Sequence, residues 1–289
     1  MSNAGDWSDA RRACVIGWPI KHSRSPLVHG HWLSAYGIDG AYTKEAVPPV
    51  DIGSFFNRIR SGEFVGCNVT IPHKEAVFLH VDEIDDVARA CGAINTVWRD
   101  GERLCASSTD GAGFLAHLDA SAPSWRQPSG RILVLGAGGA ARGIVDALLR
   151  AGHGDILIAN RTTSRSDALI AALKAAHPRT ASRLTAVAWA ERNVAVKTAG
   201  LIVNTTALGM QGQPTLSVDL SVAQSDATVA DIVYTPLETS LLADARAHGL
   251  VAVDGLGMLL HQAVPGFERW FGVRPHVTDS LRAKIVADL

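Results

Sequence analysis

The chain has 289 residues, of which 47% are hydrophobic and 19% charged, with a formal net charge of −1. That length accommodates two domains, each with its own core. The near-neutral charge argues against nucleic acid or an anionic membrane surface as partner, and no apolar run reaches the roughly 20 residues of a spanning helix.

In chain order, Ala13–Gly17 reads as a buried strand. A helix follows over 26–36, with Ser25 as its N-cap and Gly37 as its stop. Residues 42–47 read as a strand, 52–60 as a helix, 64–70 as a strand and 81–91 as a helix. Residues 93–98 and 102–106 flank Asp100-Gly101, a hairpin signal. Ser and Pro concentrate between Ala120 and Gly130, which marks a domain boundary. Beyond it, strands at 131–135, 155–159, 201–204, 229–233 and 251–254 alternate with helices at 141–151 and 164–176, and an apolar-periodic helix over 258–271 is interrupted by Pro265. Strands alternating with helices predict an α/β fold with largely parallel sheets. The polar start, Met1 to Trp7, predicts no signal peptide. Cys14, Cys67, Cys91 and Cys105 include no C-x-x-C pair and fit buried thiols in a reducing cytoplasm.

Asn68-Val-Thr-Ile-Pro-His-Lys74 is the densest polar segment. Asn68 and Thr70 share one face of an extended chain. Pro72 suits the first turn of a helix, and Lys74 would sit in that turn, where the helix dipole disfavours a cation. Such a lysine calls for water or a carboxylate, and Asp110 is a candidate. Asp110 lies in Thr109-Asp-Gly111, which also reads as a plain turn. Ser23 and Ser25 could hold a carboxylate at a helix N-terminus; Ser25 as a simple cap, with Ser23 idle, fits equally. Asn95 and Gln262 are further polar groups among apolar neighbours. His22, His29 and His31 invite a metal reading, but on a helix His29 and His31 point in different directions, so no metal site is expected.

Gly136, Ala137, Gly138, Gly139 and Ala140 follow one strand and open a helix, the setting in which such a turn carries a pyrophosphate. The next strand ends at Asn160-Arg161-Thr162, with no acid there for a ribose hydroxyl. Arg161 and Arg165 suit the 2′-phosphate of NADP instead, with Ser164 as cap of the following helix. Thr205 follows another strand end and is placed near the dinucleotide.

Taken together, Gly17-Trp-Pro-Ile-Lys-His-Ser-Arg-Ser-Pro26, Asn68 to Lys74, Gly92-Ala-Ile-Asn-Thr96, Thr109-Asp-Gly111, the Gly136 turn, Asn160-Arg-Thr162 and Asp254-Gly-Leu-Gly-Met258 with Gln262 resemble the shikimate dehydrogenase family, in order, from about Cys14 to Val273. The resemblance implies a discontinuous N-terminal α/β substrate domain (1–110 and 255–289), to which the C-terminal helices return, and a Rossmann-type doubly wound domain (111–254). It implies NADP-linked interconversion of 3-dehydroshikimate and shikimate, towards chorismate and the aromatic amino acids, by a cytoplasmic enzyme. It makes Lys74 and Asp110 the catalytic pair. Ser23, Ser25, Asn68, Thr70, Asn95, Tyr234 and Gln262 become substrate-binding residues, and Asp86, Ile232, Gly255 and Met258 lie near the cofactor. Ser107-Ser108 stand where the family commonly has Asn before Thr-Asp. The expected partner is a small-molecule substrate, with no nucleic acid and no membrane, and the assembly considered is a homodimer. A quinate/shikimate dehydrogenase using NAD, and a silent NADP-binding sensor, are the rival readings.

Overall fold

The computed structural model describes residues 11–289, so the segment read for a leader peptide lies outside the described residues. The chain forms two compact units. One runs to Thr109 and resumes over Ala263–Ile285; the other comprises Asp110–Gln262 with Val286–Leu289. Residues 255–262, expected with the first domain, pack with the second.

The first unit contains β1 (Arg11–Gly17), α1 (Ser25–Ala35), β2 (Gly40–Ala46), α2 (Ile52–Arg60), β3 (Gly66–Val69), β4 (Glu83–Ile84), α3 (Asp86–Cys91), β5 (Thr96–Asp100) and β6 (Arg103–Ser107). Its sheet has the order β2-β1-β3-β5-β6-β4. It is mixed rather than largely parallel, because β5 and β6 form the hairpin signalled by Asp100-Gly101 and β5 runs antiparallel to β3. Phe55, Phe56, Ile59, Phe64 and Val97 fill the core on one side.

The second unit contains α4 (Asp110–Ser121), β7 (Arg131–Leu135), α5 (Gly139–Arg150), β8 (Ile156–Asn160), α6 (Thr163–Ala176), β9 (Thr185–Ala188), α7 (Arg192–Val196), β10 (Ala199–Asn204), β11 (Thr228–Asp231), α8 (Ser240–Ala247), β12 (Val251–Val253) and α9 (Leu256–His261). Its parallel sheet has the order β12-β11-β10-β7-β8-β9, which reverses direction of growth between β7 and β10. Two apolar layers cover it, one around Leu148, Ile158 and Val203, the other around Leu133, Ile202 and Val229. Burial on both faces explains the unbroken Val/Ile/Leu runs of these strands. The chain then returns to the first unit as α10 (Val264–Phe271) and α11 (Asp279–Val286). Trp270 of α10 is buried there and donates its indole N–H to the Val97 carbonyl at 2.9 Å.

Several local expectations are corrected. No α-helix starts at Pro72: residues 71–75 form turns, closed by the His73 N–H on the Thr70 carbonyl, and only a 3-10 turn, Ala76–Leu79, follows. The buried His73 ring, 2.7 Å from the Val47 carbonyl, holds the segment inward. Ser25 is the first residue of α1 rather than its cap, and Ser164 lies inside α6, which starts after Thr162. The helix expected over 81–91 shrinks to α3, since Glu83–Ile84 pairs with β6. The helix expected over 258–271 is two helices, broken at Gln262-Ala263, with Pro265 in the first turn of the second. Asp110-Gly111 is a helix start, not a turn.

Candidate active site

In the first unit the expected residues cluster at the C-terminal ends of β1 and β3. Ser23 and Ser25 meet at the N-terminus of α1: their hydroxyls are 3.3 Å apart, and the Ser25 N–H donates to Ser23 Oγ. Both hydroxyls therefore collect at a helix end that favours an anion. Thr70, half-buried, follows β3, where its N–H donates to the Ile16 carbonyl. The Lys74 carbonyl accepts the Ile94 N–H at 2.8 Å, which fixes the lysine backbone beside the Asn95 segment. Lys74 is partly exposed.

Beneath this surface runs a buried polar chain. Tyr42 of β2 donates to Asn68 Oδ1 at 2.5 Å and also meets the Ser25 hydroxyl. The Asn68 amide donates to the Asn95 carbonyl and to Thr96 Oγ1. Asn95 in turn donates to Thr109 Oγ1 at 3.0 Å and accepts the Thr109 N–H at 2.9 Å. Asn68 is 5% exposed and both its amide protons are engaged, so it braces its neighbours. His29 stacks on Tyr42 with ring centroids 4.0 Å apart, enclosed also by Trp32, Phe267 and Trp270. Burial pushes its pKa down to about 3, with Asn68 opposing weakly. Tyr42 and His29 carry no motif of their own; their roles arise from residues distant in sequence. Asp86 also lies on this unit, exposed at the start of α3, whose cap is the Asp85 carboxylate bonded to the Ala88 N–H.

The second unit gathers the remaining residues. Asp110 opens α4, and Gln262 follows α9, which packs on α4. Gly136 has φ +114°, and a Cβ there would fall 2.6 Å from Thr205 Oγ1, so only glycine fits. A Cβ at Gly138 or Gly139 would meet nothing within 4 Å. The start of α5 thus presents bare backbone to open space, as the close approach of a pyrophosphate requires. Asn160 ends β8 and donates to the Thr162 carbonyl, leaving Arg161, Thr162 and Arg165 exposed at the N-terminus of α6. An anionic phosphate fits that guanidinium pair and helix end. Thr205 donates to the Leu135 carbonyl at 2.7 Å. Gly255 lies against the Ile232 carbonyl, with no room for a Cβ, and Met258 and Ile232 each pack against the core around Leu148. Tyr234, partly exposed, follows β11. The strand-ending Asp231, a buried acid, escaped the sequence reading; an acid closing an apolar strand was its only signal. Among the described residues no cluster of three or more His, Cys, Asp or Glu is placed to hold a metal ion, and no helix is long and apolar enough to cross a membrane.

Comparison with known proteins matches residues 15–97 to the shikimate dehydrogenase substrate binding domain, 124–224 to shikimate / quinate 5-dehydrogenase and 255–278 to the shikimate 5′-dehydrogenase C-terminal domain. The chain is 53% identical over 278 residues to the shikimate dehydrogenase (NADP(+)) of Rhodopseudomonas palustris strain HaA2, covering 96% of each. It superposes with a TM-score of 0.82 on shikimate 5-dehydrogenase from Thermus thermophilus in complex with NADP(H) and shikimate, 33% identical over 96% of this chain and 99% of that one. Quinate dehydrogenase from Corynebacterium glutamicum in complex with NAD gives a TM-score of 0.87 at 30% identity, with 96% and 99% covered.

Proposed function

Because the chain belongs to the shikimate dehydrogenase family, we propose that it catalyses the reversible NADP-dependent reduction of 3-dehydroshikimate to shikimate. The observation that carries the reading is the pairing, in one chain, of a substrate-side hydroxyl and amide cluster with a bare-backbone dinucleotide turn followed by Arg161 and Arg165. The identity to an NADP(+)-named relative favours this over quinate with NAD.

NADP, when bound in reduced form, supplies the hydride. Gly136 to Ala140 and the N-terminus of α5 would hold its pyrophosphate, with Arg161 and Arg165 on the 2′-phosphate. Asn160, Thr162, Thr205, Ile232, Gly255 and Met258 would line its remaining length. Ser23 and Ser25 donate to the substrate carboxylate. Thr70, Asn95, Tyr234 and Gln262 bond its ring hydroxyls, and Asn68 holds that surface in place. As the ketone is reduced, its oxygen gains negative charge, and Lys74 stabilises that charge and delivers the proton. In the oxidation direction Lys74 takes the proton back, and Asp110 orients it. The cytoplasmic location expected of a biosynthetic enzyme belongs to this reading, and a homodimer is its assembly to test by sedimentation velocity.

An assay of shikimate and quinate, each with NADP and NAD, tests the reading. The highest kcat/KM is expected for shikimate with NADP; quinate with NAD at similar efficiency would replace it. Absence of turnover with NADP still bound would favour the sensor.

A further inference from the structure

Asn204 ends β10 and Asp231 ends β11, and the two pair directly in the sheet register. On its other side Asn204 pairs with Leu135, the residue before the Gly136 turn. These three positions form one row at the point where the strand order reverses, the crevice in which such sheets bind ligands.

Asp231 is 1% exposed. Its carboxylate accepts three donors: Asn204 Nδ2 at 2.9 Å and the Val233 N–H at 3.0 Å on Oδ1, and Thr239 Oγ1 at 2.8 Å on Oδ2. Each donor belongs to a different local structure. Thr239 caps α8 by accepting the Leu242 N–H. The Val233 N–H fixes the chain leaving β11 towards Tyr234. Asn204 holds the next turn, accepting the Thr206 N–H and hydroxyl on Oδ1 and donating to the Leu208 carbonyl. That turn carries Thr205, whose N–H and hydroxyl both bond the Leu135 carbonyl beside Gly136. A buried carboxylate is costly unless its oxygens are filled, and here they are. An amide could not serve equally, since it has one acceptor oxygen for three donors.

We propose that Asp231 is a positioning residue for the dinucleotide, tying the 204–209 turn, the 231–239 segment and, through Thr205, the Gly136 turn into one cofactor-side surface. It touches no ligand; it acts through Asn204 and Thr239. This rests on the dinucleotide reading of the Gly136 turn.

The test is to measure NADPH affinity by nucleotide fluorescence, with separate KM values for NADP and shikimate, in Asp231→Ala, Asp231→Asn and Thr239→Val. Asp231→Ala should weaken NADPH binding by roughly tenfold or more, and Asp231→Asn should restore part of the loss. Thr239→Val, which removes one donor and keeps the shape, should weaken it by roughly two- to fivefold. In Thr239→Val, which leaves the Asp231–Val233 bond towards Tyr234 in place, the KM for shikimate at saturating NADP should stay within about twofold. Unchanged NADPH affinity in the folded variants, or parallel rises in both KM values in Thr239→Val, would overturn the proposal. Should Asp231→Ala fail to fold, Asp231→Asn and Thr239→Val decide it. Failure of the unaltered protein to bind NADPH would strike the cofactor reading itself.

Discussion

Gly113, within the first turn of α4, lies so close to Gln262 that a Cβ on it would stand 2.5 Å from the Gln262 backbone nitrogen and 2.6 Å from its Cβ. Asp110 starts the same helix, so the spacing between two proposed substrate-side residues is set by an absent methyl group. Gly113→Ala must push α9 away. The expected result is a rise in KM for shikimate of roughly tenfold, with NADPH affinity held. Overpacking should also cost about 1–3 kcal/mol of stability, read from denaturant unfolding. Unchanged shikimate KM would show that Gln262 tolerates the shift.

Lys74→Ala separates proton transfer from binding. Loss of an acid that acts in the transition state should lower kcat by roughly 10²–10⁴-fold with KM little changed. A rise in KM alone would make Lys74 a hydroxyl ligand.

Arg161 and Arg165 are exposed at the start of α6, so their removal should leave the fold intact. Arg161→Ala with Arg165→Ala should raise the KM for NADP by roughly tenfold or more and leave NAD kinetics nearly unchanged, because only NADP carries the 2′-phosphate. Equal losses with both nucleotides would assign the arginines elsewhere.

His29 gives the protein an acid-sensitive core. Its pKa is about 3 in the fold, against an ordinary value near 6.5, so the unfolded chain binds the extra proton. Its contribution is complete above pH 6.5 and is lost as pH falls from 6.5 towards 3, with a slope of up to about 1.4 kcal/mol per pH unit. His261, lowered to about 4 by burial and by His117, adds in the same direction between 6.5 and 4. His29→Phe keeps an aromatic ring on Tyr42 and removes the proton. Urea midpoints at pH 7.5, 6 and 5 should fall less steeply in the variant; parallel curves would refute the assignment.

The second sheet was legible because its strands are buried on both faces, so that Leu133 to Leu135 and Leu201 to Val203 form short apolar runs bounded by Gly136 and Gly200. The glycine turn and the arginines were legible because their chemistry is local. Helix α4 was not. Asp110-Gly-Ala-Gly113 has poor helix propensity, and the helix stands because its small residues let α5 and α9 pack against it. Lys74 was recognised, but its supposed helix was not there, since His73 anchors the turn from within. Tyr42 and Asp231 were invisible for a shared reason. Each looks like an ordinary strand residue until the fold delivers partners such as Asn68 and Asn204 from 26 or 27 positions away.

The glycines of the dinucleotide turn answer to two different masters. Gly136 is dictated by the chain itself, through its backbone angle and the Thr205 hydroxyl beside it. Gly138 and Gly139 face empty space, and a methyl on either would collide with no protein atom. Packing would admit alanine at both, and glycine there suits the close approach of the proposed nucleotide. A chain that had abandoned a nucleotide would be expected to lose Gly139 before it lost Gly136.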